Sequence, residues 1–132
     1  MNAAGASGQT AAPAAWTDPA RGAELTRAQA AQGVDVVFSA AGTSGLGILQ
    51  AAKDAGILAI GVDSNQNALH PGTMLTSMVK RVDVAVQQAF NGVRPGITAL
   101  GLKEGGVDLA MDEHNAALVT PAMRTRLDAA RA

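Results

Sequence analysis

Between Val34 and Gln66 (VDVVFSAAGTSGLGILQAAKDAGILAIGVDSNQ) the hydrophobic pattern switches from strand to helix and back to strand. VDVVFSA (34–40) is β-branched and apolar, too short for a free helix, and bounded by Gly33 and Gly42. Its almost continuous apolar run predicts a parallel strand buried on both faces. Thr43 or Ser44 stands where a helix N-cap is needed, and Ile48, Leu49, Ala52 and Ala55 line one face of the helix that follows. Gly56 suits the left-handed position that closes such a helix, and ILAIGVD (57–63) reads as a second buried strand. Strand, helix and strand make a right-handed βαβ unit, whose ligands sit at the carboxyl ends of the strands. Those ends are the loop from Gly42 to Gly47 and Asp63.

The flanking pattern is simpler. Residues 1–15, rich in Ala, Gly, Ser and Pro, have no apolar period and read as a flexible lead-in to a domain over 16–132. Asp18-Pro19 is a helix start, with Asp as N-cap and Pro in the first turn, where its missing N–H costs nothing. The spacing predicts a helix over 19–32 ended by Gly33. A polar loop at 64–72 leads to a third strand, 73–79. Val82, Ala85, Val86, Ala89 and Phe90 then recur at helical spacing over 80–91. Residues 97–102 and 107–111 are expected to pair as a hairpin through the turn at 104–106, and Thr120-Pro121 opens a last helix.

Composition narrows the function classes. At 132 residues the chain is one domain. Two Phe and one Trp leave a core built from small residues. Ten Lys and Arg against eleven Asp and Glu give a net charge of −1, with no basic run to meet nucleic acid. Without cysteine there is no disulfide, thiolate metal site or lipid-modified Cys in this sequence, and as written it carries no export signal. Catalysis has little to rest on: there is no nucleophile elbow, HExxH or P-loop. No cofactor is expected. The glycines run G-x-x-G-x-G, not the dinucleotide fingerprint G-x-G-x-x-G. His70 and His114 lack a metal-ligand partner at suitable spacing.

Candidate chemistry therefore gathers at the strand ends, and each residue there has a plain reading and a functional one. Asp63 either caps the following turn or offers two oxygens to the vicinal hydroxyls of a sugar. Lys80 is either a solvated charge or a partner that keeps Asp63 ionised. Gly42 is first a turn glycine, and its small size also lets a ligand approach the backbone N–H. Gly45 and Gly47 read as helix-packing residues. Trp16 either packs or offers a flat face for stacking. Ser64, Asn65 and Gln66 either add polar contacts or form the loop.

The ordered series WTDPARG, GVDVVFSAAGTSGLG, IGVDSNQ, TSMVKRVDVAV and LGLKEGGV closely resembles the second half of the basic membrane protein (BMP) family. That family comprises ABC-transporter substrate-binding lipoproteins, purine nucleoside receptors among them. The resemblance covers roughly Ala15 to Met111. It implies α/β architecture of the type I periplasmic-binding-protein fold, with a nucleoside enclosed between two hinged lobes and no chemistry done on it. It implies Trp16 stacked on the base, Gly42 at the ligand, Asp63 on the ribose hydroxyls and Lys80 reaching the sugar. Asn65 departs from the family's usual Asp. Expected partners are the nucleoside and ABC permease subunits, in a periplasmic or membrane-anchored extracytoplasmic setting. The family's N-terminal lobe, signal peptide and lipidated cysteine have no counterpart in these residues, so the chain is expected to be a C-terminal lobe with a bare strand edge beside 34–40. The runner-up is a sugar- or nucleoside-sensing lobe of a transcriptional regulator, and a third reading is a remnant without function.

Overall fold

A computed structural model describes residues 14–92 and 96–131; most of the predicted lead-in lies outside the described residues. A helical turn α1 (Ala14–Thr17) precedes α2 (Pro19–Ala31), whose first turn is capped as the sequence predicts: the Asp18 carboxylate accepts from Arg21 N at 2.9 Å. Then come β1 (Val36–Phe38), α3 (Ser44–Ala55) and β2 (Leu58–Asp63). A 3₁₀ turn (Asn67–Leu69) leads to β3 (Met74–Lys80), α4 (Val82–Phe90), β4 (Val107–Leu109) and α5 (Pro121–Arg131). The sheet runs β1-β2-β3-β4. The first three strands are parallel, and β4 is antiparallel to β3.

The βαβ unit forms as its pattern predicts. Gly56 ends α3 with φ 68° and ψ 24°, a conformation that a Cβ would penalise. Helix α3 lays Ile48, Leu49 and Ala52 on Val37, Ala59 and Met74, the latter at 0% exposure, and this small-residue cluster is the core. Helix α2 packs on α3 so closely that a Cβ on Gly47 would lie 1.8 Å from the Pro19 carbonyl oxygen. Gly47→Ala would therefore force the two helices apart. Gly45 is tight too, with a Cβ meeting the Ser39 carbonyl oxygen at 3.2 Å.

Three expectations are corrected. First, β1 is not covered on both faces by the described residues: Val37 is buried, but Val36 and Phe38 are 37% and 41% exposed. They face an apolar groove of about 730 Å³ that also involves Ile60, Met78, Leu109 and Leu127. The run reads as continuous because both of its faces are apolar, yet only one meets a helix core. As expected, β1 stands at a sheet edge. Second, 97–102 forms no strand and Ile97 is fully exposed. Residues 107–109 instead pair with β3, Met78 opposite Leu109 and Lys80 opposite Val107. An unpaired strand edge offers a whole row of donors and acceptors, which a local hairpin would have left bare. Third, neither hydroxyl before α3 caps it. Thr43 occupies the N-cap position without a side-chain capping bond, and Ser44 is already helical.

Candidate functional site

The carboxyl ends of β1, β2 and β3 carry Gly42, Asp63 and Lys80, and Trp16 packs on the first of these. At the end of β1, Gly42 takes φ +55° and sits under Trp16: a Cβ on it would meet the Trp16 carbonyl oxygen at 2.8 Å and ring atom Cε3 at 3.6 Å. The glycine is thus required by close approach of Trp16, the space a side chain would need being filled by that residue. The Thr43 hydroxyl donates to the Trp16 carbonyl at 3.0 Å and the Ser44 hydroxyl to the Ala15 carbonyl at 2.9 Å, while Ser44 Oγ accepts from Asp18 N at 2.8 Å. These hydroxyls therefore tie α1 to the start of α3. Trp16 remains 46% exposed.

At the ends of β2 and β3, Asp63 and Lys80 form an ion pair of 2.7 Å between Oδ1 and Nζ, with side chains 57% and 60% exposed. A pair in that much water contributes roughly 0–1 kcal/mol to folding. Its backbone setting is the unusual part. Asp63 is the non-glycine residue with positive φ, +68°, among the described residues. Ser64 N donates to the Val62 carbonyl at 2.8 Å across it. That i to i+2 bond over a positive φ is the pattern of the classic γ-turn, a rare and strained form. Strain of this sort costs about 1–3 kcal/mol and persists only where surrounding contacts over-determine it.

Those surroundings are polar and centred on the buried Asn67, Ser77 and Asn115, and the sequence pattern does not mark them as a unit. Gln66 Oε1 accepts from Val62 N at 2.9 Å, and Gln66 N donates to Ser77 Oγ at 3.0 Å. Ser77 Oγ donates to Asn67 Oδ1 at 2.8 Å, and both residues are 0% exposed. Asn67 Nδ2 donates to the Ala110 carbonyl and to Asp112 Oδ2, the latter also accepting from Asn65 Nδ2 at 2.7 Å. Asn115, likewise fully buried, donates to the Leu75 and Ala110 carbonyls. The Asn65 hydrogen bond holds the Asp112 carboxyl below the ordinary carboxylate range; burial opposes this, and the His114 N–H and Asn67 amide add to it. Of the loop residues left open by the sequence, Asn65 and Gln66 thus build the loop. Polar residues with no hydrophobic period gave the only available hint of this network.

His114 does lie near acidic groups, since Asp112, Glu113 and His114 bring potential ligand atoms within 4.8 Å of one another. Asp112 already spends both carboxylate oxygens on internal hydrogen bonds. His70 sits apart in the turn before β3; its Nδ1 is buried without a partner, and burial lowers its pKa below 6.5. Among the described residues no helix is long and apolar enough to cross a membrane.

The chain is similar to parts of longer known proteins. Basic membrane protein D of Borreliella burgdorferi is 41% identical over 62% of this chain and 27% of its own length. An uncharacterized lipoprotein of Pyrococcus furiosus is 40% identical over 58% of this chain and 22% of its own length. Among solved structures, an ABC transporter solute-binding protein from Aeropyrum pernix superposes with TM-score 0.65 at 35% identity, over 83% of this chain and 32% of that one. A transcriptional activator of the comK gene from Bacillus halodurans gives TM-score 0.75 at 28% identity, over 88% and 42%. The chain thus spans between about a fifth and two fifths of the length of these relatives. Residues 10–128 match the Bmp family, described as ABC transporter substrate-binding protein PnrA-like, and the chain belongs to that non-enzymatic family.

Proposed function

We propose that the chain is the C-terminal lobe of a substrate-binding protein that delivers a purine nucleoside to an ABC importer. Asp63 accepts from the ribose hydroxyls, Lys80 pairs with that carboxylate and touches the sugar, Trp16 stacks on the base, and Gly42 keeps Trp16 close. Closure of two lobes traps the ligand, and the closed form is what the permease subunits recognise. The protein works outside the cytoplasm, in the periplasm or anchored at the membrane. One observation carries the reading: an exposed carboxylate at the end of a parallel strand, paired with a lysine and held on a strained turn. Strained residues of this kind cluster at ligand clamps.

The test is calorimetric titration of the protein made from its whole reading frame, against inosine, adenosine, free bases and hexoses. Nucleosides are expected to bind. Binding of bases or hexoses alone would remove the ribose role from Asp63. A second reading, a ligand-sensing lobe of a transcriptional regulator, draws support from the similarity to the Bacillus halodurans activator. Specific binding of operator DNA by the whole protein would favour it.

A further inference from the structure

We infer that Gln66 is the positioning residue that holds Asp63 in its left-handed turn and so aims its carboxylate. The inference rests on the ribose-binding reading of Asp63. Its physical origin is an overhang in the sheet. Strand β1 ends at Phe38, opposite Ile60, and Ser39 N closes the ladder by donating to the Ile60 carbonyl at 3.0 Å. Residues 58 and 60 of β2 face β1, so the N–H of Val62 faces the same way, beyond the end of its neighbour. Val62 is only 8% exposed, and a buried N–H without an acceptor is costly. Gln66 Oε1 fills the place of the absent strand, accepting that N–H at 2.9 Å. With Ser64 N on the Val62 carbonyl, both backbone polar groups of Val62, the residue before Asp63, are fixed.

A glycine two residues upstream makes this return possible. A Cβ on Gly61 would lie 2.7 Å from Gln66 Oε1, 2.8 Å from Ser77 Oγ and 3.0 Å from Gln66 Cβ. The Gln66 side chain therefore folds back over a bare backbone, while its own N–H is anchored on Ser77. Gln66 reaches no part of the Asp63–Lys80 pair. It acts through the turn.

The whole protein and its Gln66→Leu, Gln66→Glu and Gly61→Ala variants would be titrated with inosine and with 2′,3′-dideoxyinosine, and amide hydrogen exchange followed in β2. Wild type is expected to prefer inosine by about a hundredfold, as two charge-assisted hydrogen bonds imply. Gln66→Leu and Gly61→Ala should cut that preference to about tenfold or less and speed exchange at Val62 and Ser64, with Ala59 unchanged. Gln66→Glu keeps an oxygen acceptor and should stay near wild type. Faster exchange throughout β2, Ala59 included, would make Gln66 a general support of the fold and overturn the inference. Unchanged discrimination in Gln66→Leu would overturn it as well. A wild type that binds both ligands equally sinks the diol role of Asp63 instead, and exchange at Val62 and Ser64 alone then decides whether Gln66 holds the turn.

Discussion

Two polar groupings are linked through Gln66, which bonds Val62 N and Ser77 Oγ, and differ in almost every physical respect. The Asp63–Lys80 pair is charged, more than half exposed, and mounted on a strained turn. The Asn67–Ser77–Asn115 group is neutral, fully buried and hydrogen-bonded to its own members, to backbone groups and to the Asp112 carboxylate. Water already satisfies the first group, so removing it takes little from the fold. Nothing but protein satisfies the second, so removing one member strands its neighbours without partners. Chemistry free to meet a ligand is cheap to the fold, and chemistry vital to the fold is already spoken for.

The comparison breaks most visibly at Asp63. In the whole protein Asp63→Ala should weaken nucleoside binding by on the order of 3 kcal/mol or more, through two lost charge-assisted hydrogen bonds. Unfolding in urea should shift by less than about 1 kcal/mol. Lys80→Ala should cost less binding than Asp63→Ala. Wild-type affinity in Asp63→Ala would demote the residue to a loop cap.

Asn67→Ala should show the reverse pattern. It removes hydrogen bonds to Ser77, the Ala110 carbonyl and Asp112 from a fully buried site. A loss of about 2–3 kcal/mol in urea unfolding is expected. A loss below about 0.5 kcal/mol would mean that water replaces the network without cost.

Asp63→Gly sharpens the contrast within one residue. Glycine takes positive φ freely, so stability should rise by about 1 kcal/mol while binding falls as in Asp63→Ala. Thermal melting alongside titration checks both.

The smallest effect is one of pH. The Asp112 carboxyl is held below its ordinary range in the folded chain, chiefly by Asn65, so the unfolded chain takes up its proton first on acidification. Its contribution to stability is present above the unfolded carboxylate pKa and is lost as pH falls through the folded value. Asp112→Asn should flatten the acid limb of a stability–pH curve. An unchanged limb would show that the Asn65 bond is not maintained in solution.

The two faces of the sheet repeat the lesson on a larger scale. One face is sealed by α3, and the other leaves Val36, Phe38 and Met78 around an open groove. Helix α4 adds Val82 and Phe90, 65% and 87% exposed. Exposed apolar surface and a β1 edge left unpaired among the described residues are liabilities for association, and the isolated 132-residue chain should self-associate. If it is one lobe of a nucleoside cleft, as proposed, it should bind nucleosides no better than about millimolar. Light scattering with titration tests this, and a stable monomer of micromolar affinity would contradict it.

By itself, the sequence determined what depends on near neighbours. The βαβ unit, the Asp18 cap, the left-handed Gly56 and the strand ends bearing Gly42, Asp63 and Lys80 follow from periodicity and from residues with one strong backbone preference. Contacts distant in sequence were decided only in three dimensions. Thr43 and Ser44 have the chemistry of caps, yet their hydroxyls go to α1, about 27–29 residues away, because that helical turn comes within reach. Residues 107–109 have no local signal separating a hairpin from the free edge of β3, and the longer edge wins. The positive φ of Asp63 has no signature in the letters GVDSNQ. It arises because β2 outruns β1 and Gln66 turns back to satisfy the peptide N–H left over, a demand that exists only once the strands are aligned.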